Sequence, residues 1–189
     1  MTTFSHLLDL LGTIPDPRRA QGKLYTLPYL LLFALLAVVA GANSYRGIHS
    51  FIDVHLDRLK AAFGLRWRRA PAYTSIRLVL QNLDPAELER AFRIHAAVLA
   101  AQVGCQGVRV VALDGKTLRG SFDHFAERAA VHLVSAFDVT SGLILGHIEV
   151  GEKENEIPAV QHLLAALGLA DRVVTADAMH CQKNVRDGT

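Results

Sequence analysis

The chain has 189 residues, 51% of them apolar and 20% charged, with a formal net charge of +2. That length holds one or two domains, and that apolar share is enough for a sizeable core, which excludes a largely disordered chain. Two cysteines far apart, Cys105 and Cys181, with no CxxC spacing, argue against a disulfide framework or a zinc site and fit a reducing cytoplasm.

The opening MTTFSHLLDLLGTIPDPRR lacks the basic start, long apolar core and small-residue cleavage site of a secretory signal. Leu7, Leu8, Leu10 and Leu11 predict a short amphipathic helix, and IPDPRR at 14–19 predicts a turn, because two prolines in three residues cannot continue a helix. Residues 24–45 carry no charge, and 29–42 are almost wholly apolar. A membrane span needs about 20 predominantly apolar residues. This run is shorter and is punctuated by Thr26, Pro28, Asn43 and Ser44, so it reads as a buried core helix over about 28–41, in preference to a membrane span.

Ser44 is placed to cap one following helix, in which Ile48, Phe51, Ile52, His55, Leu56 and Leu59 recur as a single buried stripe, with Arg46, Asp53, Arg58 and Lys60 opposite. A short helix near 75–82 presents Ile76, Val79, Leu80 and Leu83. Asp84-Pro85-Ala86-Glu87 then has the form of a helix start, with an acid at the cap, proline first and glutamate third. Leu88, Phe92, His95 and Leu99 form the apolar face of that helix.

From Gly104 the period changes. Val108–Leu113, Val131–Val139 and Leu143–Val150 are short β-branched runs, the last two joined at Thr140-Ser141-Gly142 as a hairpin would be. Asn155 can cap a helix that carries Pro158 in its first turn, turns Ile157, Val160, Leu163, Leu164 and Leu167 inward and ends at Gly168. Arg172–Ala176 is a fourth strand. A hairpin followed by a helical crossover makes a mixed sheet with at least one parallel pair, the order in which a ribonuclease H-like fold opens. The expected class is α+β: an all-helical domain at 1–103 and an incomplete ribonuclease H-like mixed α/β sheet domain at 104–189.

Charge divides along similar lines. Residues 1–107 hold 12 Lys/Arg against 7 Asp/Glu, and residues 108–189 hold 8 against 11. A basic front suits a polyanion and an acidic back concentrates carboxylates, although surface variation would give the same split. The densest basic cluster is Arg66, Arg68 and Arg69 around Trp67, with Arg18, Arg19 and Lys23 a second. Such arginines contact phosphates and Trp67 is a candidate for stacking on a base; solvated surface is the plainer reading. The histidines show no HExxH or comparable ligand spacing.

Two aspartates carry the chemical argument. Asp114 follows the first expected strand and Asp177 the fourth. If those strands are parallel neighbours, both carboxylates emerge at one carboxyl edge and can share Mg²⁺ or Mn²⁺, hard cations that take oxygen ligands. Aspartates are also common in turns and caps, so position alone leaves the matter open.

The surrounding words sharpen it. IPDPRR at 14–19, GANSYRGIHSFI at 41–52, LDGKTLRGS at 113–121, AVHLVSAFD at 130–138, KENEIPAV at 153–160 and VTADAMHCQ at 174–182 follow one another in order over nearly the whole chain. In these words the chain resembles the DDE transposases of bacterial insertion sequences, in the branch that includes the H-repeat-associated proteins. The resemblance implies that Asp114 and Asp177 are the first and second acids of a metal-binding triad. It also implies a third acid, a glutamate, on a helix well beyond Asp177. The sequence stops twelve residues after Asp177, so the resemblance implies a chain catalytically incomplete alone, and the alternative is an inert or DNA-binding remnant. Glu152, Glu154 and Glu156 lie on the wrong side of Asp177 to fill that place.

Lys116, Arg119 and His180 are candidates for DNA contact near the metal, each with an ordinary surface or packing role as the alternative. The expected partners are the transposon ends and target DNA, with homo-oligomerisation left open. Neither a membrane nor a small-molecule substrate is expected.

Overall fold

The charge-free stretch after Thr26 becomes a helix buried on almost every side. In the computed structural model, which describes residues 3–102, 109–117, 131–150, 156–169 and 172–176, this helix is α2 (Leu27–Val39). Leu30, Leu31, Leu32, Phe33 and Ala34 are all buried, as expected of a helix that is apolar all round. It packs against α1 (Thr3–Gly12) and α3 (Tyr45–Val54). Pro28 sits in its first turn. Its end is a Schellman cap: Gly41 takes a φ of +97°, its N–H donates to the Val38 carbonyl and the Ala42 N–H to the Ala37 carbonyl. No helix among the described residues is long and apolar enough to cross a membrane.

Ser44 caps α3, its hydroxyl accepting from the Gly47 N–H at 3.1 Å. The single helix expected after it is two. α3 ends at Val54 and α4 runs Leu56–Phe63, with His55 between them at φ −100°, ψ 8°. Ile48, Ile52 and Leu59 keep the stripe buried across this break, whereas Phe51 and Leu56 are half-buried. Apolar spacing reports which side meets the core, and two helices can share one stripe, so the break leaves no mark in the pattern.

The expected short helix is α5 (Tyr73–Gln81), packed on α3 with Ile76 and Val79 buried. The longer one is α6 (Pro85–Gln102), at whose start Asp84 Oδ1 accepts from the Ala86 N–H at 2.9 Å. Glu87 does not complete the capping box; it pairs instead with Arg90 at 2.7 Å, one turn on.

An aromatic cluster fills the centre of this helical region. The Phe33 ring lies 5.5 Å from Phe63 and 5.4 Å from Trp67, and Tyr25 meets Trp67 edge-on at 4.9 Å. The chain divides into two compact units, Met1–Ala91 and Phe92–Thr189, so the division falls within α6.

The second unit holds one sheet of order β3-β2-β1-β4: β1 (Arg109–Thr117), β2 (His132–Asp138), β3 (Leu143–Val150) and β4 (Arg172–Ala176). β1 is antiparallel to β2 and parallel to β4. The β2–β3 hairpin closes where expected. Asp138 Oδ1 accepts from the Thr140 N–H at 2.9 Å, and Gly142 supplies the positive φ of +71° that a side chain would resist. α7 (Glu156–Leu167) covers β2 and β3 from one side, with Val160, Leu163 and Leu164 packed on Val111, Leu113, Val134, Ala136 and Leu145. Its expected cap, Asn155, lies outside the described residues.

Candidate functional site

β1 continues past the point where sequence pattern ends it. Asp114 lies inside the strand rather than after it, paired with Ser135 of β2, and pairing runs on to Thr117 opposite His132. The sequence shows an apolar run that stops at Leu113; the antiparallel neighbour supplies ladder partners for four further residues whose side chains are polar or absent. On the other side, described pairing with β4 ends at Leu113 opposite Ala176. The residues immediately before both candidate acids are therefore neighbours across a parallel pair. Asp177 itself, with Arg119 and His180, lies outside the described residues.

Strand alternation sets the surroundings of Asp114. Val111 and Leu113 point into the core beneath α7, so Asp114 and Lys116 share the opposite face. Their side chains are 57% and 76% exposed, and Lys116 Nζ lies 3.0 Å from Asp114 Oδ2. A solvated pair of this kind contributes little stability and breaks readily. What it leaves is an accessible hard-oxygen donor with a mobile cation beside it, a donor suited to Mg²⁺ or Mn²⁺. Among the described residues no group of three or more His, Cys, Asp or Glu could hold a metal.

The other candidate residues belong to the helical unit. Arg66, Arg68 and Arg69 are exposed around a concavity of about 520 Å³ that also involves Leu24, Tyr25 and Trp67. Trp67 is not free to stack on a base: it is 8% exposed, and its ring is engaged by Tyr25 and Phe33. A tryptophan among arginines reads as a nucleic-acid platform until its burial is known.

Arg18 is likewise committed within the protein. Its Nε and terminal nitrogen donate to the two oxygens of Asp16 at 2.9 and 2.8 Å, and its other terminal nitrogen to the Gly22 carbonyl at 3.1 Å. The Arg18 side chain hydrogen-bonded to Asp16 holds that carboxyl below its ordinary value of 3.8, against the opposing effect of burial. IPDPRR is thus a clamped turn, in which Arg18 serves structure.

One buried carboxylate has no distinct signal in the sequence. Asp138 is 1% exposed on the core face of the sheet, with Oδ2 3.6 Å from a terminal nitrogen of Arg172 at the start of β4. Only the Asp-Val-Thr-Ser-Gly turn pattern hints at a local role for it.

The family model described as DDE_Tnp_1-associated matches residues 8–96. The chain is 36% identical over 183 residues to the "Putative transposase YncI" of Escherichia coli K12, covering 95% of this chain and 71% of that protein. It is 31% identical over 181 residues to the "H repeat-associated putative transposase YbfD" of the same strain, covering 96% and 70%. The chain belongs to the transposase family that includes the H repeat-associated proteins. Against another member, the "H repeat-associated putative transposase YhhI" of E. coli K12, identity is 34% over 184 residues, 96% of this chain and 47% of that protein. The chain thus spans about half the length of YhhI and of the "Putative protein YbfL" of E. coli K12, to which it is 34% identical over 184 residues and of which it covers 47%. No solved structure matches.

Proposed function

We propose that this transposase-family chain contributes to metal-dependent DNA strand cleavage and transfer at the ends of an insertion sequence, with Asp114 and Asp177 as ligands of Mg²⁺ or Mn²⁺. The observation that carries the reading is the parallel β1–β4 pair with Leu113 opposite Ala176. One further step along each strand reaches an aspartate, and if the register continues the two carboxylates face one space. The order β3-β2-β1-β4 also supports a ribonuclease H-like sheet, in which such a strand edge carries the chemistry.

When bound, the divalent ion supplies Lewis-acid activation of the attacking hydroxyl or water and offsets charge on the leaving oxygen. The protein's own part is positional. Asp114 is held in β1 by its pairing with Ser135 of β2, one residue beyond the pairing of Leu113 with β4, so its backbone is fixed while its carboxylate stays open to solvent. Lys116 sits on the same face and can move from Asp114 to a DNA phosphate, with Arg119 and His180 as further candidates. Arg66, Arg68 and Arg69 of the helical unit bind the DNA backbone. A two-ion site needs at least one more acid than this pair, which a downstream segment or a second subunit would supply.

Manganese binding followed by electron paramagnetic resonance tests the pair before any turnover is needed. The unaltered chain should bind Mn²⁺, and Asp114→Asn or Asp177→Asn should each weaken binding by about tenfold or more, the loss expected when a metal site is disturbed. Equal affinity in all three proteins would remove the two aspartates from a shared site. In strand-cleavage assays on DNA carrying the element's ends, both substitutions should abolish whatever cleavage the complete assembly supports, since a misplaced ion no longer aligns the attacking group. For the helical unit, replacing Arg66, Arg68 and Arg69 together with alanine should lower the log–log salt slope of duplex binding by about three units, near one per lost phosphate contact. An unchanged slope would exclude this cluster from the interface.

A further inference from the structure

The sequence gives no reason to prefer one helix of the front unit over another as the reader of DNA, but the structure does. We infer that α5 is the base-reading helix, presenting Tyr73, Thr74, Arg77, Leu78 and Gln81 to the major groove of duplex DNA. This inference rests on the DNA-binding reading above.

At 100° per residue those five positions fall on one continuous face, and all five are exposed. The opposite face, Ile76 and Val79, is fully buried, so α5 has a fixed orientation in the unit. Leu78, at one edge of this polar face, is 61% exposed. A single exposed leucine means nothing by itself. Here it stands beside an arginine and a glutamine, side chains that pair bidentately with guanine and adenine, while an apolar side chain suits the thymine methyl. Arg77 Nε donates to Gln81 Oε1 at 3.2 Å, which braces both long side chains and leaves the terminal nitrogens of Arg77 for an outside acceptor.

The borders of the face fit a duplex rather than a protein surface. α5 contains no acidic residue. On one side the Arg46 guanidinium lies over the Tyr73 ring, 5.0 Å from its centre. On the other side two adjoining concavities of about 550 and 450 Å³ meet at Gly22 and Ser75, and carry Arg69 at one end and Arg19 beside Leu78 at the other. Among the described residues Asp53 is the one carboxylate lining them. Cations thus flank a helix whose centre can read bases, the division of labour between phosphate and base contacts found in DNA recognition. Nine residues span about 13 Å, against a major groove about 12 Å wide.

The test is selection by the full chain from a randomised duplex library, with affinities for the selected motif and the unselected pool measured at one salt concentration. The unaltered chain should enrich one motif and prefer it to the pool by about 100-fold or more. The combined Arg77→Ala, Leu78→Ala, Gln81→Ala variant should bring that preference close to one. Its folding is checked by circular dichroism; alanine at exposed helical positions does not disfavour the helix. The combined Arg66→Ala, Arg68→Ala, Arg69→Ala variant should weaken binding to motif and pool by the same factor. An α5 variant that still enriches the same motif with undiminished preference overturns the assignment of α5 and leaves the DNA-binding reading standing. If the unaltered chain retains no duplex at all, both fall together.

Discussion

The two units solve burial in different ways. In Met1–Ala91 an apolar helix is enclosed by its neighbours, and the arginines are left outside. Among the described residues of the second unit one face of the sheet is covered, by α7. The other carries Asp114 and Lys116 together with Phe137, Ile144 and Val173, which are 37%, 56% and 49% exposed. An enclosed core tolerates variation around its outside, so binding residues can be added to the surface with little effect on the fold. A one-sided sheet ties its chemistry to strand register instead: moving Asp114 by one residue would turn its side chain into the core.

The sharpest test of the enclosed core is Phe33→Ala, at the centre of the aromatic cluster. It should cost about 3–5 kcal/mol, seen as a lower denaturant midpoint in circular dichroism of the helical signal. A loss below about 1 kcal/mol would mean that the cluster can close over the space, and that the helical unit is held elsewhere. The corresponding test of the sheet is Asp138→Ala, which strands the Arg172 guanidinium at the start of β4 and removes the acceptor of the hairpin turn. About 3 kcal/mol should be lost, and hydrogen exchange should rise in β4 as well as in the hairpin. Exchange confined to the hairpin would show that the ion pair does not hold β4.

The smallest effect concerns Asp16. Its folded pKa is depressed below 3.8 by the Arg18 hydrogen bonds, so its contribution is fully present above that value and is lost as pH falls through the lower, folded pKa. Asp16→Asn should cost less than about 1 kcal/mol at neutral pH, since the pair is partly solvated, and should remove part of the acid-side decline in stability. A variant with the same decline as the parent would show that other carboxylates account for it.

The order of helices and strands was legible because periodicity and caps are local. Ser44, Gly41, Pro85 and the Asp138-to-Gly142 turn each act within a few residues of where they stand. What escaped depends on residues distant in sequence. Trp67 is buried because Tyr25 and Phe33 meet it from another segment, and Asp114 is in a strand because β2 pairs with it. Of the candidate site, the Asp114–Lys116 pairing follows from alternation along one strand. On α5 the inward positions Ile76 and Val79 were legible from their spacing, whereas the exposure of Leu78, an apolar residue like them, needed the packed unit.

The burial of Trp67 also gives the protein an optical handle. It is the sole tryptophan of the chain. Excited selectively at the red edge, where tyrosine does not absorb, it reports on the helical unit alone while the sheet stays dark. Its ring is shielded, yet its chain neighbours Arg66 and Arg68 are exposed, so a ligand seated on those arginines would perturb the emission without touching the indole. One fluorophore, already in place, can follow both the melting of that unit and the arrival of a polyanion on its surface, and the two are told apart because only melting shifts the emission to that of water-exposed indole.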